Sequence, residues 1–471
     1  MHKLNTVSKE EVENRLSFDN PWWESNSVSK RYQEFPRRHY FLPFYKLTQQ
    51  SVNRAIVLMG PRRVGKTVMA FQAIDALLKK GVSQYNILYV SLETPLYIGL
   101  SLEKIVNMFQ DIHQHGREAE LCIIFDEIQY LPKWEVHLKS LVDSYPAYQF
   151  IATGSAAAAL KLKSEESGAG RFTDFLLPPL TFAEYLSFIG KESALIEKRN
   201  DTLVTANIEA LNIEFINYLN YGGYPEAVLS ADVQEDSGRY IKSDIIDKVL
   251  LRDLPSLYGI RDVQELNKLF TVIAYNTSNE ISLESLSQSS GVSKNTLKKY
   301  LEYLEAAFLI KIVHRVDINT KKLQRVTRFK VYLTNPSMRA ALFGTIKDGD
   351  KTMGGLVETA IFSQWFHHNY ADLHYARWSD GEVDIVNTKH NWCVEIKWSD
   401  LVAKDARKLK SFIKYIQQNE TLKNVVTTKT IHQERVINDV LIEFIPSALY
   451  AYMLGKNYFE SVQTTEQGNL F

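Results

Sequence analysis

The octapeptide Gly60-Pro61-Arg62-Arg63-Val64-Gly65-Lys66-Thr67 constrains the fold of this chain more than any other stretch. An apolar run, RAIVLM, leads into it, and an amphipathic stretch, TVMAFQAIDALLKK, leads out. The pattern GxxxxGK[ST] between a strand and a helix turns successive backbone N–H groups toward one point, beside a helix N-terminus carrying about half a positive charge. Such a loop is a phosphate cradle. Gly60 and Gly65 permit close backbone approach, while Pro61, Arg62, Arg63 and Val64 complete the loop. Lys66 is expected to reach the outer phosphates and the Thr67 hydroxyl to ligate Mg²⁺. The expected ligands are therefore ATP and Mg²⁺.

Roughly sixty residues on, the run LCIIF enters Asp126-Glu127. This reads as a buried strand ending in two carboxylates at the carboxyl edge of a parallel sheet, where ligands bind. Asp126 is expected to hold Mg²⁺ indirectly and Glu127 to orient or deprotonate the attacking water, since phosphoryl transfer needs placement and charge more than covalent chemistry. A further strand, YQFIATGSA, ends in Thr153 and Ser155. Their hydroxyls either sense the γ-phosphate or water or, for Ser155, cap a helix.

Short apolar runs alternate with amphipathic stretches from Arg54 to Gly154, which predicts an α/β fold: a P-loop parallel sheet with helices on both faces, over residues 51–190. Residues 1–50 are polar and aromatic by turns and read as a segment packing on that domain. A helical connector is expected over 191–264, with a turn at Gly222–Pro225, then a helical region ending in strands over 265–335, a mixed α/β domain over 336–456 and a tail over 457–471. The length of 471 residues accommodates such a series at about 150 residues per domain. With 55 Lys and Arg against 55 Asp and Glu, overall charge argues for neither nucleic-acid nor membrane binding, so any basic surface must be local. The chain start lacks an apolar signal region, and no apolar run is long enough to span a membrane, so a cytoplasmic location without membrane partners is expected. Cys122 and Cys393 lie in apolar runs, where burial as small hydrophobes is expected and no zinc framework is present.

The segments MGPRRVGKT, IIFDEIQYLPKWE, ATGSAAAAL and GAGRFTDFLLPPLTFAEYL resemble AAA-type ATPases of bacteria and archaea that carry a C-terminal domain of long-unassigned function. The resemblance runs from about Arg54 to Trp398. It implies ATP hydrolysis, and it makes Arg171, in the AGR segment after the sensor strand, a candidate sensor or an arginine acting across the boundary of a homo-oligomer. A salt bridge remote from phosphate is the other reading of Arg171.

In the C-terminal half, ISLESLSQSSGVSKNTLKKYLEYLEAAFLIKIV reads as a helix, a turn at Gly291-Val292, a second helix capped by Ser293 and a β-hairpin, and it resembles a winged helix-turn-helix. From Lys294 to Lys330 there are ten Lys and Arg against three acids. Lys294, Asn295, Lys298 and Lys299 share the face opposite Leu297, Leu301 and Leu304, as a DNA groove-reading helix requires. A protein-docking winged helix with a solvated face is the alternative. Further on, GEVDIV and CVEIK place Asp384 and the pair Glu395 and Lys397 on consecutive strands. Two carboxylates can hold Mg²⁺ while the lysine positions or activates water for phosphodiester hydrolysis, and Glu358 on the preceding helix can complete the metal shell. This region looks like a PD-(D/E)xK nuclease fold, which also survives as an inert scaffold. His367 and His368 are adjacent and cannot share one helical face, which argues against a joint metal role. Two functions follow: an ATPase whose nucleotide state controls a DNA-directed, Mg²⁺-dependent nuclease-like domain, or a nucleotide-dependent switch that binds DNA or a partner protein through an inactive scaffold.

Overall fold

The computed structural model describes residues 8–50, 52–155, 170–200, 202–319, 328–365 and 373–464. His367, His368, Lys321, Lys322, Arg325 and residues 465–471 of the expected tail lie outside the described residues. The chain divides into two compact units, Met1–Leu177 and Pro178–Phe471.

In the first unit, β1 (Ala55–Met59), β2 (Ile87–Ser91), β3 (Cys122–Asp126), β4 (Gln149–Gly154) and β5 (Phe172–Leu176) form one sheet in the order β2-β3-β4-β1-β5. Every pairing is parallel. Apolar residues fill β1 and almost all of β3, as strands covered on both faces require. Amphipathic helices such as Leu102–His113 cover the sheet; that helix begins where the Ser101 hydroxyl accepts the Lys104 N–H, and it buries Leu102, Ile105, Val106 and Phe109. The parallel arrangement delivers the carboxyl ends of β1, β3 and β4 to one edge.

Residues 8–50 pack within this unit. The Asn20 amide accepts the Tyr89 N–H at 2.7 Å and donates to the Tyr89 carbonyl at 2.9 Å, while the indoles of Trp22 and Trp23 both donate to the Ile87 carbonyl. These bonds occupy the open edge of β2, which another chain could otherwise pair. The segment then meets the helix Lys66–Lys79, where Tyr32 stacks on Phe71 and Gln72 donates to the Phe35 carbonyl. It continues to β5, where Tyr40 and Phe44 set their rings against Phe175.

The second unit begins at Pro178, earlier than the boundary expected after residue 190. Its first helix, Phe182–Phe188, opens with a capping box of Thr181 and Glu184. The expected helical connector also contains a hairpin of β6 (Ile196–Arg199) and β7 (Thr202–Thr205). Among the described residues the remaining strands are β8 (Glu280–Ser282), β9 (Ile310–Val316), β10 (Arg328–Leu333), β11 (Leu373–Trp378), β12 (Gly381–Asn387), β13 (Trp392–Glu395), β14 (Lys423–Thr428), β15 (Gln433–Ile437) and β16 (Val440–Pro446). All nine join one sheet, in the order β15-β16-β14-β13-β12-β11-β9-β10-β8. The seam is a parallel pairing of β9 with β11 through Arg315 with Tyr375 and Val316 with Ala376. The regions expected as separate domains over 265–335 and 336–456 therefore share a sheet. Tyr375, Val394 and Val425 face one apolar core, whereas Ala376, Cys393 and Val426 face another, in keeping with the two-residue period of a strand. Among the described residues no helix is long and apolar enough to cross a membrane.

Candidate nucleotide site and carboxylate cluster

The loop from Gly60 to Gly65 joins β1 to the helix Lys66–Lys79. Gly65 has φ 98°, a backbone conformation that disfavours a side chain. A Cβ at Gly60 would stand 2.1 Å from the Leu177 carbonyl oxygen, so only glycine fits there. Lys66 is buried with its Nζ 3.1 Å from the Gly60 carbonyl and 2.9 Å from the Pro61 carbonyl, within the loop itself. Arg62 reaches the Tyr130 hydroxyl at 3.4 Å, Arg63 is exposed with φ 64°, and Val64 is buried. Beneath the loop, Thr67 donates to Asp126 Oδ2 at 2.9 Å and Tyr89 donates to the same oxygen at 2.7 Å. Thr153 donates to Asp126 Oδ1. Burial and the neighbouring Glu127 push the Asp126 carboxyl up, against the pull of these three hydroxyls toward ionisation. The donor set suits a nucleoside triphosphate with Mg²⁺: glycine-lined backbone, one buried ammonium, and a hydroxyl beside a carboxylate.

Glu127 follows in the left-handed region with φ 55°, and its N–H bonds the Thr153 hydroxyl at 3.2 Å. The Gln129 amide donates to Glu127 Oε2 and accepts the Ser155 N–H at 3.1 Å. Thr153 thus fixes the Asp126-Glu127 turn. The structure does not bring Arg171 to this site within the chain. Its carbonyl accepts the Ala55 N–H at the opposite end of β1, about 16 Å away at roughly 3.3 Å per residue, and its side chain pairs with Asp143. Within the chain, Arg171 is thus engaged in a salt bridge with Asp143.

Residues 52–186 match the family model described as an AAA domain. The first unit carries a P-loop ATPase-like domain of that type. Residues 212–348 match a domain of unknown function. An uncharacterised protein of Methanocaldococcus jannaschii is 24% identical over 84% of this chain and 87% of its own length. Another from Haemophilus influenzae is 24% identical over 83% of this chain and 92% of its own length. Among solved structures, Cdc6p from Pyrobaculum aerophilum aligns over 67% of this chain and 97% of that one, at 14% identity and a TM-score of 0.29. The Saccharomyces cerevisiae Hsp104–ADP complex aligns over 58% of this chain and 38% of that one, at 11% identity and a TM-score of 0.30.

Outside the AAA domain, Glu358, Asp384, Glu395 and Lys397 do converge. The hairpin of β12 and β13 pairs Ile385 with Val394, which sets Asp384 beside Glu395, and Glu358 arrives from the helix Met353–Gln364. Lys397 Nζ lies 2.7 Å from Glu395 Oε1 and 3.4 Å from Asp384 Oδ2, and Asp384 Oδ2 also accepts the Ile396 N–H at 2.8 Å. Three further groups, Lys330, Glu382 and Tyr332, join them. Lys330 Nζ stands 2.9 Å from Glu358 Oε1, 2.7 Å from Glu382 Oε1 and 3.7 Å from Asp384 Oδ1, and Tyr332 donates to Glu358 Oε1 at 2.7 Å. Burial pushes the Glu395 carboxyl up to about 8 and the Glu358 carboxyl up to about 7. Burial opposes ionisation of Asp384 too, but Lys397, Lys330 and the Ile396 N–H outweigh it and hold that carboxyl below its usual range. The expected Mg²⁺ shell of Glu358, Asp384 and Glu395 is not found: among the described residues no three carboxylate, histidine or cysteine groups are arranged to hold a metal ion. The ammonium of Lys330 lies within 2.9 Å of Glu358 and 3.7 Å of Asp384.

Sequence reasoning counted Lys330 as part of a basic surface and missed Glu382, Tyr332, Tyr89, Gln129 and Arg38, whose guanidinium donates to the Val64 carbonyl at 2.8 Å. The signal for Lys330 and Tyr332 was the alternation in RFKVYL, which puts both on one strand face. Other members of the basic excess are also engaged. Arg315 and Arg328 pair with the buried Glu280, and Lys311 pairs with Glu305. Lys294, Asn295, Lys298 and Lys299 are exposed on the helix Lys294–Ala306, opposite buried Leu297, Leu301 and Leu304.

Proposed function

We propose that this chain is an ATP-hydrolysing switch whose second unit docks DNA through the helix Lys294–Ala306. The observation that carries the reading is the joining of Thr67, Asp126 and Thr153 by hydrogen bonds at the carboxyl edge of the sheet, with Glu127 next in the chain. Backbone N–H groups of residues 62–67 cradle the phosphates, Lys66 neutralises the outer ones, and Thr67 with Asp126 would hold Mg²⁺. When bound, Mg²⁺ supplies charge neutralisation at the phosphates. Glu127 orients the attacking water and takes its proton, and release of its carboxylate from Gln129 accompanies that step. DNA docking is supported by the Gly291 turn at φ 80°, the Ser293 cap and the four exposed polar residues of the following helix.

A second reading, nucleotide-controlled DNA cleavage, has the convergence of Asp384, Glu395 and Lys397 in its favour. Lys330 weighs against it, so the nuclease-like sheet is taken as a scaffold.

ATP turnover tests the switch. Lys66→Ala should lose ATP binding and hydrolysis, whereas Glu127→Gln should keep binding and lose turnover by about 10²–10⁴-fold, the contribution of a positioned general base. Normal turnover by both variants overturns the assignment.

A further inference from the structure

Lys330 projects from the interior of β10, where its register partners are Glu280 on β8 and Val313 on β9. Its side chain is only 4% exposed. A buried ammonium needs anionic partners, and this one has Glu382 at 2.7 Å, Glu358 at 2.9 Å and Asp384 at 3.7 Å. These partners come from the helix Met353–Gln364 and from β12, both far along the chain from β10. Lys397 closes the other side, so that Asp384 presents Oδ1 toward one ammonium and Oδ2 toward the other.

A divalent ion at the same point would have to share it with that charge. Mg²⁺ binds oxygen ligands at about 2.1 Å in a near-octahedral shell and keeps several waters. Lys330 Nζ stands instead between Glu358 Oε1 at 2.9 Å and Asp384 Oδ1 at 3.7 Å. Glu395 Oε2 is buried without a hydrogen-bond partner among the described residues, but one carboxylate oxygen does not make a site for such an ion.

We propose that Lys330 is the resident cation of this cluster. Its ammonium stands where the sequence pattern assigns a divalent metal, and the cluster acts as an ionic clasp that fastens β10 to β12 and to the helix Met353–Gln364. The nuclease-like sheet then takes up no divalent ion while Lys330 is in place.

Mn²⁺ titration of the full-length, nucleotide-free chain tests this, followed by electron paramagnetic resonance of the free ion. Thr67 and Asp126 can meet Mn²⁺ in the AAA domain, so each result is read against Asp384→Asn. Wild type and Asp384→Asn should take up equal amounts. Lys330→Met should gain one Mn²⁺ beyond those the wild type takes up, and the double variant Lys330→Met/Asp384→Asn should lose it. A wild-type Mn²⁺ that Asp384→Asn removes overturns the proposal, as does a folded Lys330→Met that gains none. Should Lys330→Met fail to fold, wild type against Asp384→Asn and Glu395→Gln decides alone: equal titrations support the clasp, and a lost ion overturns it. The titration requires neither ATP nor DNA, so its outcome is separate from that of the switch.

Discussion

Asn20 gives Tyr89 the two backbone bonds that a sixth strand would have given. Tyr89 in turn donates its hydroxyl to Asp126, so a residue of the leading segment supports the strand that supports the nucleotide site. Asn20 is fully buried, and Asn20→Ala leaves one N–H and one carbonyl of β2 without a partner. The loss should be about 1–3 kcal/mol for each group that stays dry. Denaturant unfolding of the first unit would measure it, and an unchanged midpoint would show that water replaces the amide. At this scale the sequence disclosed what a local motif encodes. Lys66, Thr67, Asp126 and Glu127 were legible because spacing and the flanking apolar runs define them. Asn20, Tyr89 and Arg38 were not, because each acquires its partner only when the order of strands is known, and no short-range pattern records that order.

Among elements, the basic helix shows why counting charge along the chain misleads. Lys330, Arg315, Arg328 and Lys311 belong to the same excess as Lys294, Lys298 and Lys299, yet they point into ion pairs with acids from other strands and helices. Among the described residues, Lys294, Lys298 and Lys299 are exposed together on one helix, with Lys294 also 3.5 Å from Glu284 in a solvent-screened pair. Replacing Lys294, Lys298 and Lys299 by Glu should weaken DNA binding and flatten its log–log salt dependence by about 0.9 for each phosphate no longer neutralised. Fluorescence anisotropy over a range of salt concentrations checks this. A slope that does not move would assign the helix face to a partner protein. The hairpin of β12 and β13, by contrast, was readable, since a polar turn between alternating runs fixes register within a few residues.

For the whole molecule, what the sequence could not disclose is long-range pairing: β9 and β11 pair across sixty or so intervening residues, and Pro178 onward packs with distant helices. Composition does not change where such packing begins. The division into Met1–Leu177 and Pro178–Phe471 has a thermodynamic consequence, because a ligand stabilises only the cooperative unit that binds it. Calorimetry of the full chain should therefore show two transitions. A non-hydrolysable ATP analogue with Mg²⁺, at about a hundred times its dissociation constant, adds about 2.7 kcal/mol to the unit that holds it. For a unit of 150–250 residues that is roughly 5–10 °C. One transition should move by that amount and the other should stay, with Lys66→Ala abolishing the shift and leaving both transitions present. A single transition that moves as one would mean that the two units unfold together, and nucleotide binding would then reach the second unit through stability itself.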